Sequence, residues 1–208
     1  MFDFQDAAGA LPDSITHSEV LYNFVKPPIH GWAFRKLRAT LERPLAQHTL
    51  IDIYDSLVRW TRFWLDSRRV PGHVLPHYQH RNDSGWDNST TFDHDRVIEA
   101  PDLAALLLVQ LDVLAELAVE LGRVNEEDEW RREAEALQGA LPELWDGDVF
   151  VAKAPTSGRL SKTTSLLNTL PVVVAAHRPD SIIEALSLRI SQHDGIRSGD
   201  TADRQCGV

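Results

Sequence analysis

The fold turns on the stretch Pro101-Asp102-Leu103-Ala104-Ala105-Leu106-Leu107-Leu108-Val109-Gln110-Leu111-Asp112-Val113-Leu114-Ala115-Glu116-Leu117-Ala118-Val119-Glu120-Leu121-Gly122. Leu103, Leu106, Leu107, Gln110, Leu111, Leu114, Leu117, Ala118 and Leu121 recur at three- and four-residue steps and cover a broad face. That spacing predicts a long helix against which other helices must pack. Gly122 is its natural C-cap, because a glycine reaches the left-handed conformation at no steric cost.

Working outward, Asn125 reads as the N-cap of a charged helix from Glu126 to about Leu144, with Trp130, Ala134, Leu137 and Leu141 as a narrower buried stripe. Its acidic first turn suits the helix dipole. Upstream, Leu50, Ile53, Tyr54, Leu57, Trp60 and Trp64 mark a second strong helix over 49–69. Phe34, Leu37 and Leu41 mark a shorter one over 32–43, ended by Pro44. Downstream, Trp145-Asp146-Gly147-Asp148-Val149-Phe150-Val151 reads as a turn into a short β segment, and Ser157-Gly158 as another turn. Ser165 to Ala176 and Ser181 to Ile190 read as helices, the latter with Ile182, Ile183, Leu186 and Ile190 in phase. The expectation is an all-α fold of about six helices in antiparallel-looking pairs, with no strand alternation that could build a sheet.

The bulk properties bound the function. A chain of 208 residues is long enough for one sizeable domain, and 43% hydrophobic with 25% charged residues is ordinary globular composition. The net charge of −10 is the wrong sign for tracking nucleic acid or an anionic membrane surface. The single cysteine, Cys206, cannot form an internal disulfide, the N-terminus is acidic where a signal peptide is basic, and no apolar run approaches a bilayer span. These features point to the cytoplasm.

Residues 1–30, with Gly9, Pro12, Pro27 and Pro28, read as an ordered, extended segment leading into the first helix. The chemistry is concentrated in the loop 70–100, broken by Pro71, Gly72, Pro76 and Gly85. A loop of that length in a compact domain is often functional. It carries His73, His77 and His80, whose spacing is like that of metal ligands. Pro76 prevents a regular helix from placing them on one face, so the reading is solvated or hydrogen-bonding histidines, with no metal and no cofactor. It also carries Ser84-Gly85-Trp86-Asp87-Asn88-Ser89-Thr90. An aspartate beside an indole and a glycine can be held in a partly dry pocket, where desolvation favours the protonated form that a general acid needs. The same vocabulary also builds ordinary turns and caps.

Asn82-Asp83-Ser84-Gly85-Trp86-Asp87-Asn88-Ser89 is similar to the general-acid loop of glycoside hydrolase family 63, and Val25-Lys26-Pro27-Pro28-Ile29-His30-Gly31-Trp32 resembles that family's approach to its first barrel helix. Together they make the chain look like the N-terminal part of a bacterial, trehalase-like or mannosylglycerate-hydrolase-like six-hairpin glycosidase. The resemblance implies an incomplete (α/α)6 toroid with about half of its helices, over 31–197, followed by a non-family tail, 198–208. It implies that Asp87 protonates the glycosidic oxygen of a small α-linked glucoside or mannoside while a second carboxylate activates water for inversion. Trp32 and Trp86 would be sugar-face platforms, and Asn88, Asp83 and Tyr78 partners for sugar hydroxyls.

The chain departs from the family in two places. Arg81 stands where relatives have a small residue, and the aromatic segment and glutamate base of the second barrel half do not appear. Glu184, the only glutamate after Glu143, reads as a solvated helix residue. The implied partners are a small carbohydrate and, for the exposed half barrel, another copy or the missing C-terminal half. The alternative is a truncated, catalytically inactive helical module that binds carbohydrate or a partner chain.

Overall fold

The computed structural model describes residues 1–163, 165–177 and 180–192. Among these residues five α-helices dominate: α1 (His30–Thr40), α2 (Gln47–Ser67), α3 (Pro101–Glu120), α4 (Val124–Ala140) and α5 (Asp180–Gln192). α3 is the axis of the molecule. Pro101 occupies its first turn, where a missing N–H costs nothing, and Gly122 follows its end at φ 71. Leucines, alanines and valines on nearly every side of α3 are buried, and a helix apolar all round must be enclosed. α4, α1, α2 and the segment 166–177 pack around it.

Gln110 is a buried polar residue in the middle of α3. Fully buried, it accepts the Gly31 N–H of α1 at 2.9 Å and donates to the Thr61 hydroxyl of α2 at 3.0 Å. Its side chain therefore satisfies one of the orphan donors at the start of α1 and links three helices. The segment before α1 is ordered, with a 3₁₀ turn (Phe2–Phe4) and a hairpin of β1 (Ser14–Ile15) and β2 (Val20–Leu21). It docks on α2 so closely that a Cβ at Gly9, which has φ +89, would lie 2.3 Å from the Arg59 carbonyl oxygen.

Three expectations need correction. The fold is mostly helical but not all-α: β3 (His77–Tyr78), β4 (Ile98–Glu99), β5 (Ala152–Lys153) and β6 (Leu160–Ser161) form an antiparallel sheet in that order, with His77 opposite Glu99 and Glu99 opposite Lys153. Strands of two residues carry no readable alternation. Residues 166–177 are 3₁₀ where an α-helix was expected, with Pro171, which has no N–H to donate, inside and non-helical backbone at Val174. α4 starts at Val124, ahead of Asn125, and gives way to a 3₁₀ turn at Leu141–Leu144 around Pro142. The tail expected over 198–208 lies outside the described residues.

Candidate functional site

The loop that carries Asp87 is built outward from β3. The 3₁₀ turn Arg81–Ser84 is closed by a capping box: His80 Nδ1 accepts the Asn82 N–H at 3.1 Å, and the Asp83 carboxylate accepts the His80 N–H at 3.0 Å. Asp83 is buried. Its Oδ2 also takes the Gln79 N–H at 2.9 Å and Arg68 Nη1 at 3.3 Å, and its Oδ1 takes the Val25 N–H at 3.3 Å. Burial lowers the Arg68 pKa, and the Asp83 carboxylate beside it opposes that shift.

From there the chain is pinned residue by residue. The Ser84 hydroxyl donates to the Arg81 carbonyl at 2.7 Å and accepts the Trp86 N–H at 3.1 Å. Gly85 takes the left-handed conformation at φ 76, and the Ser89 N–H closes on the Trp86 carbonyl at 2.8 Å. Trp86, Asp87 and Asn88 emerge exposed at the apex. Behind them Ser89, Thr91, Thr163 and Ser165 form a chain of hydroxyl contacts of 2.9 to 3.3 Å.

The two stretches that carry the family resemblance meet in space. Besides the Val25 bond to Asp83, Lys26 Nζ donates to the Asn82 carbonyl at 2.6 Å and the Phe24 ring stacks on His80 at 4.8 Å. Trp32 stands on the following helix with 48% of its surface exposed. Trp86 at 43%, Asp87 and Asn88 are likewise open to a ligand.

Tyr78 and Asp83 are not open. Tyr78 is fully buried against Trp64 and Phe92 and donates to Asp102 Oδ2 at 2.8 Å. Both carboxylate oxygens of Asp83 are spent on the protein, so neither residue reaches a sugar in this conformation. Asp87 is exposed, as in the turn reading of this stretch, and not held in a partly dry pocket.

Sequence reasoning missed Asp102. It lies in the first turn of α3, completely buried, with Oδ1 unpartnered, and burial pushes its carboxyl up to about 7 against the hydrogen bond from Tyr78. An acid in a first helical turn is ordinary dipole chemistry, which hid it. Tyr78 is pushed up by burial and by Asp102.

The histidines of the loop part company. His73 Nδ1 pairs with the buried Glu99 at 2.5 Å, His77 is buried with its pKa lowered by burial and by Arg68, and His80 is the cap already described. Lys153 approaches Glu99 at 3.7 Å from the other side. No group of three or more His, Cys, Asp or Glu among the described residues is arranged to hold a metal. On the outer side of the loop His80, Arg81, Phe92, Asp93, His94, Asp95 and Arg96 line an open recess of about 330 Å³, with Arg81 turned to Asp93 at 3.7 Å.

Nearly the whole chain, and with it this loop, matches a known family. Residues 1–205 match the sequence profile described as mannosylglycerate hydrolase MGH1-like glycoside hydrolase domain. The chain belongs to this family. Among solved structures it is similar to the GH63 mannosylglycerate hydrolase from Thermus thermophilus in complex with glucose, at TM-score 0.76 and 18% identity, over 90% of this chain and 61% of that one. The same enzyme with Tris and D-glycerate matches at TM-score 0.75 and 15% identity, over 90% and 62%. An uncharacterized conserved protein from the same organism matches at 0.76 and 18%, over 90% and 60%. At these identities the likeness is one of fold, and the chain spans about 60% of the length of these structures. No curated protein matches it. Among the described residues no helix is long and apolar enough to cross a membrane.

Proposed function

We propose that this chain is the N-terminal part of an inverting α-glycosidase whose substrate is a small α-linked glucoside or mannoside. Asp87 is the general acid. The observation that supports this is its place at the exposed apex of a turn that is otherwise fully clamped, flanked by the open faces of Trp86 and Asn88. Asp87 protonates the glycosidic oxygen as the leaving group departs, and Trp86 and Trp32 offer indole faces to the C–H-rich side of a sugar ring. The carboxylate that activates water is not supplied by this chain, which spans about 60% of the length of its solved relatives. Glu184, exposed on α5, is not that base.

An exposed Asp87 also favours a second reading, binding without turnover, because an open site neither excludes water nor strengthens its electrostatics. Assays on trehalose, glucosylglycerate, mannosylglycerate and short α-glucans, run beside calorimetric titration with the same sugars, separate the two. Under the glycosidase reading with its base elsewhere, the chain binds a sugar and turns it over slowly, at a rate that Asp87→Asn lowers further; binding with no turnover favours the second reading. Robust turnover that Asp87→Asn abolishes would show that the base lies within this chain, and turnover unaffected by Asp87→Asn would remove Asp87 from the mechanism.

A further inference from the structure

Asp87 accepts no hydrogen bond from any described residue, so its position is inherited from the turn before it. That turn is held from one point. The four donors on Asp83 come from three separate parts of the chain: Val25 ahead of α1, Arg68 at the end of α2, and Gln79 and His80 at the exit of β3. Arg68 reaches Asp83 from beneath, its guanidinium 5.4 Å from the Phe63 ring and 6.0 Å from that of Trp64. The side chains of Arg68 and Asp83 are only 12% and 3% exposed. A buried ion pair is poor evidence of stability, since replacing it with apolar residues is often neutral; its better-attested use is to fix one arrangement.

From Asp83 the constraint passes without a free link. Ser84 is held through both its donor and its acceptor, and Trp86 through its N–H and its carbonyl, which brackets Asp87. We propose that Arg68 and Asp83 are the positioning pair of the site: they set where the apex bearing Trp86 and Asp87 stands relative to the segment 25–32. This rests on reading Asp87 as the proton donor. Neither residue touches substrate; both act through the turn. Their burial also explains why Asp83, four residues ahead of Asp87, is an aspartate without being a sugar ligand.

The test reads position directly and does not need turnover. The protein is labelled with fluorotryptophan, and the ¹⁹F resonance of Trp86 is assigned by Trp86→Phe. In Asp83→Asn the Trp86 resonance should shift or broaden, while that of Trp130, buried on α4 and bonded to Tyr54 of α2, stays in place. The double variant Arg68→Met with Asp83→Asn removes the unpaired buried charge and should recover most of the unfolding stability, yet leave Trp86 displaced. A Trp86 resonance at its wild-type position in the double variant overturns the proposal, because the pair would then be a matter of charge alone.

Should neither variant fold, amide exchange in the unaltered protein decides. The amides of Val25, Gln79 and His80 should exchange at least roughly tenfold more slowly than that of the exposed Asn88. Equal rates overturn the proposal. The Asp87→Asn assay stands apart from all of these readouts, so either idea can fail without the other.

Discussion

Asp102 gives the residue scale its sharpest prediction. Its carboxyl, raised to about 7, keeps a proton in the folded chain that the unfolded chain releases near pH 4. Between those values the native state binds more protons than the unfolded state, so this contribution to stability is complete below the unfolded pKa and is lost as pH rises through about 7. His30 works in the opposite direction. Half-buried against Trp60 and near the N-terminal ammonium, it is lowered to about 4 by burial and by that charge, so its contribution falls as pH drops from about 6.5 to 4. The two slopes oppose each other over the same window. Asp102→Asn, which can still accept from Tyr78, removes one of them: the stability difference between variant and wild type should grow in the variant's favour by up to ~1.4 kcal/mol per pH unit from about 4 to 7, then level off. Denaturant unfolding across that range measures it, and parallel curves for the two proteins would sink the assignment.

At the scale of elements, Gln110 is a point where three helices meet. Gln110→Leu keeps the volume but strands the buried Gly31 N–H, whose partner lies 79 residues away in sequence. Unfolding should become easier by about 1–3 kcal/mol, against at most ~0.5 kcal/mol for Val119→Ala on the open side of the same helix. Equal small losses would mean that water or a shifted backbone replaces the amide. The same residue shows what a sequence reveals and what it hides. The apolar period of α3 placed Gln110 on the packed face, and the stripe on α2 placed Tyr54, Leu57, Trp60 and Trp64 inside. Local periodicity survives because it belongs to one helix. What Gln110 bonds to depends on residues 31 and 61, and what Asp83 bonds to depends on residues 25 and 68, so no local pattern shows either. The two-residue strands were invisible because so short a run has no alternation to read, and β3 with β4 and β4 with β5 also pair across distant parts of the chain. Motif spelling groups Asp87, Trp86 and Asn88, which stand exposed at one apex, with Tyr78 and Asp83, which are buried, because spelling alone cannot distinguish an exposed tyrosine or aspartate from a buried one.

For the whole molecule, the question is what lies beyond α5. This helix carries Ile182, Ile183, Leu186, Leu188 and Ile190, yet among its described side chains only Leu186 is buried, and Leu188 is 59% exposed. Its main packing is on the 166–177 segment, so one side of an amphipathic helix lacks cover within the described residues. This chain represents only about 60% of the length of its solved relatives. We expect a second copy of the chain to cover this face when the chain is isolated, because exposed apolar surface at the end of a helical stack drives association. The net charge of −10 on each copy opposes that approach, and added salt screens the repulsion without weakening apolar burial. The average mass measured by sedimentation equilibrium should therefore rise with protein concentration and rise further with salt, and Leu188→Glu should lower it under both conditions. Association that weakens with salt would point to ion pairs instead, and the mass of a single chain throughout the micromolar range would mean that α5 is adequately covered by the chain's own residues.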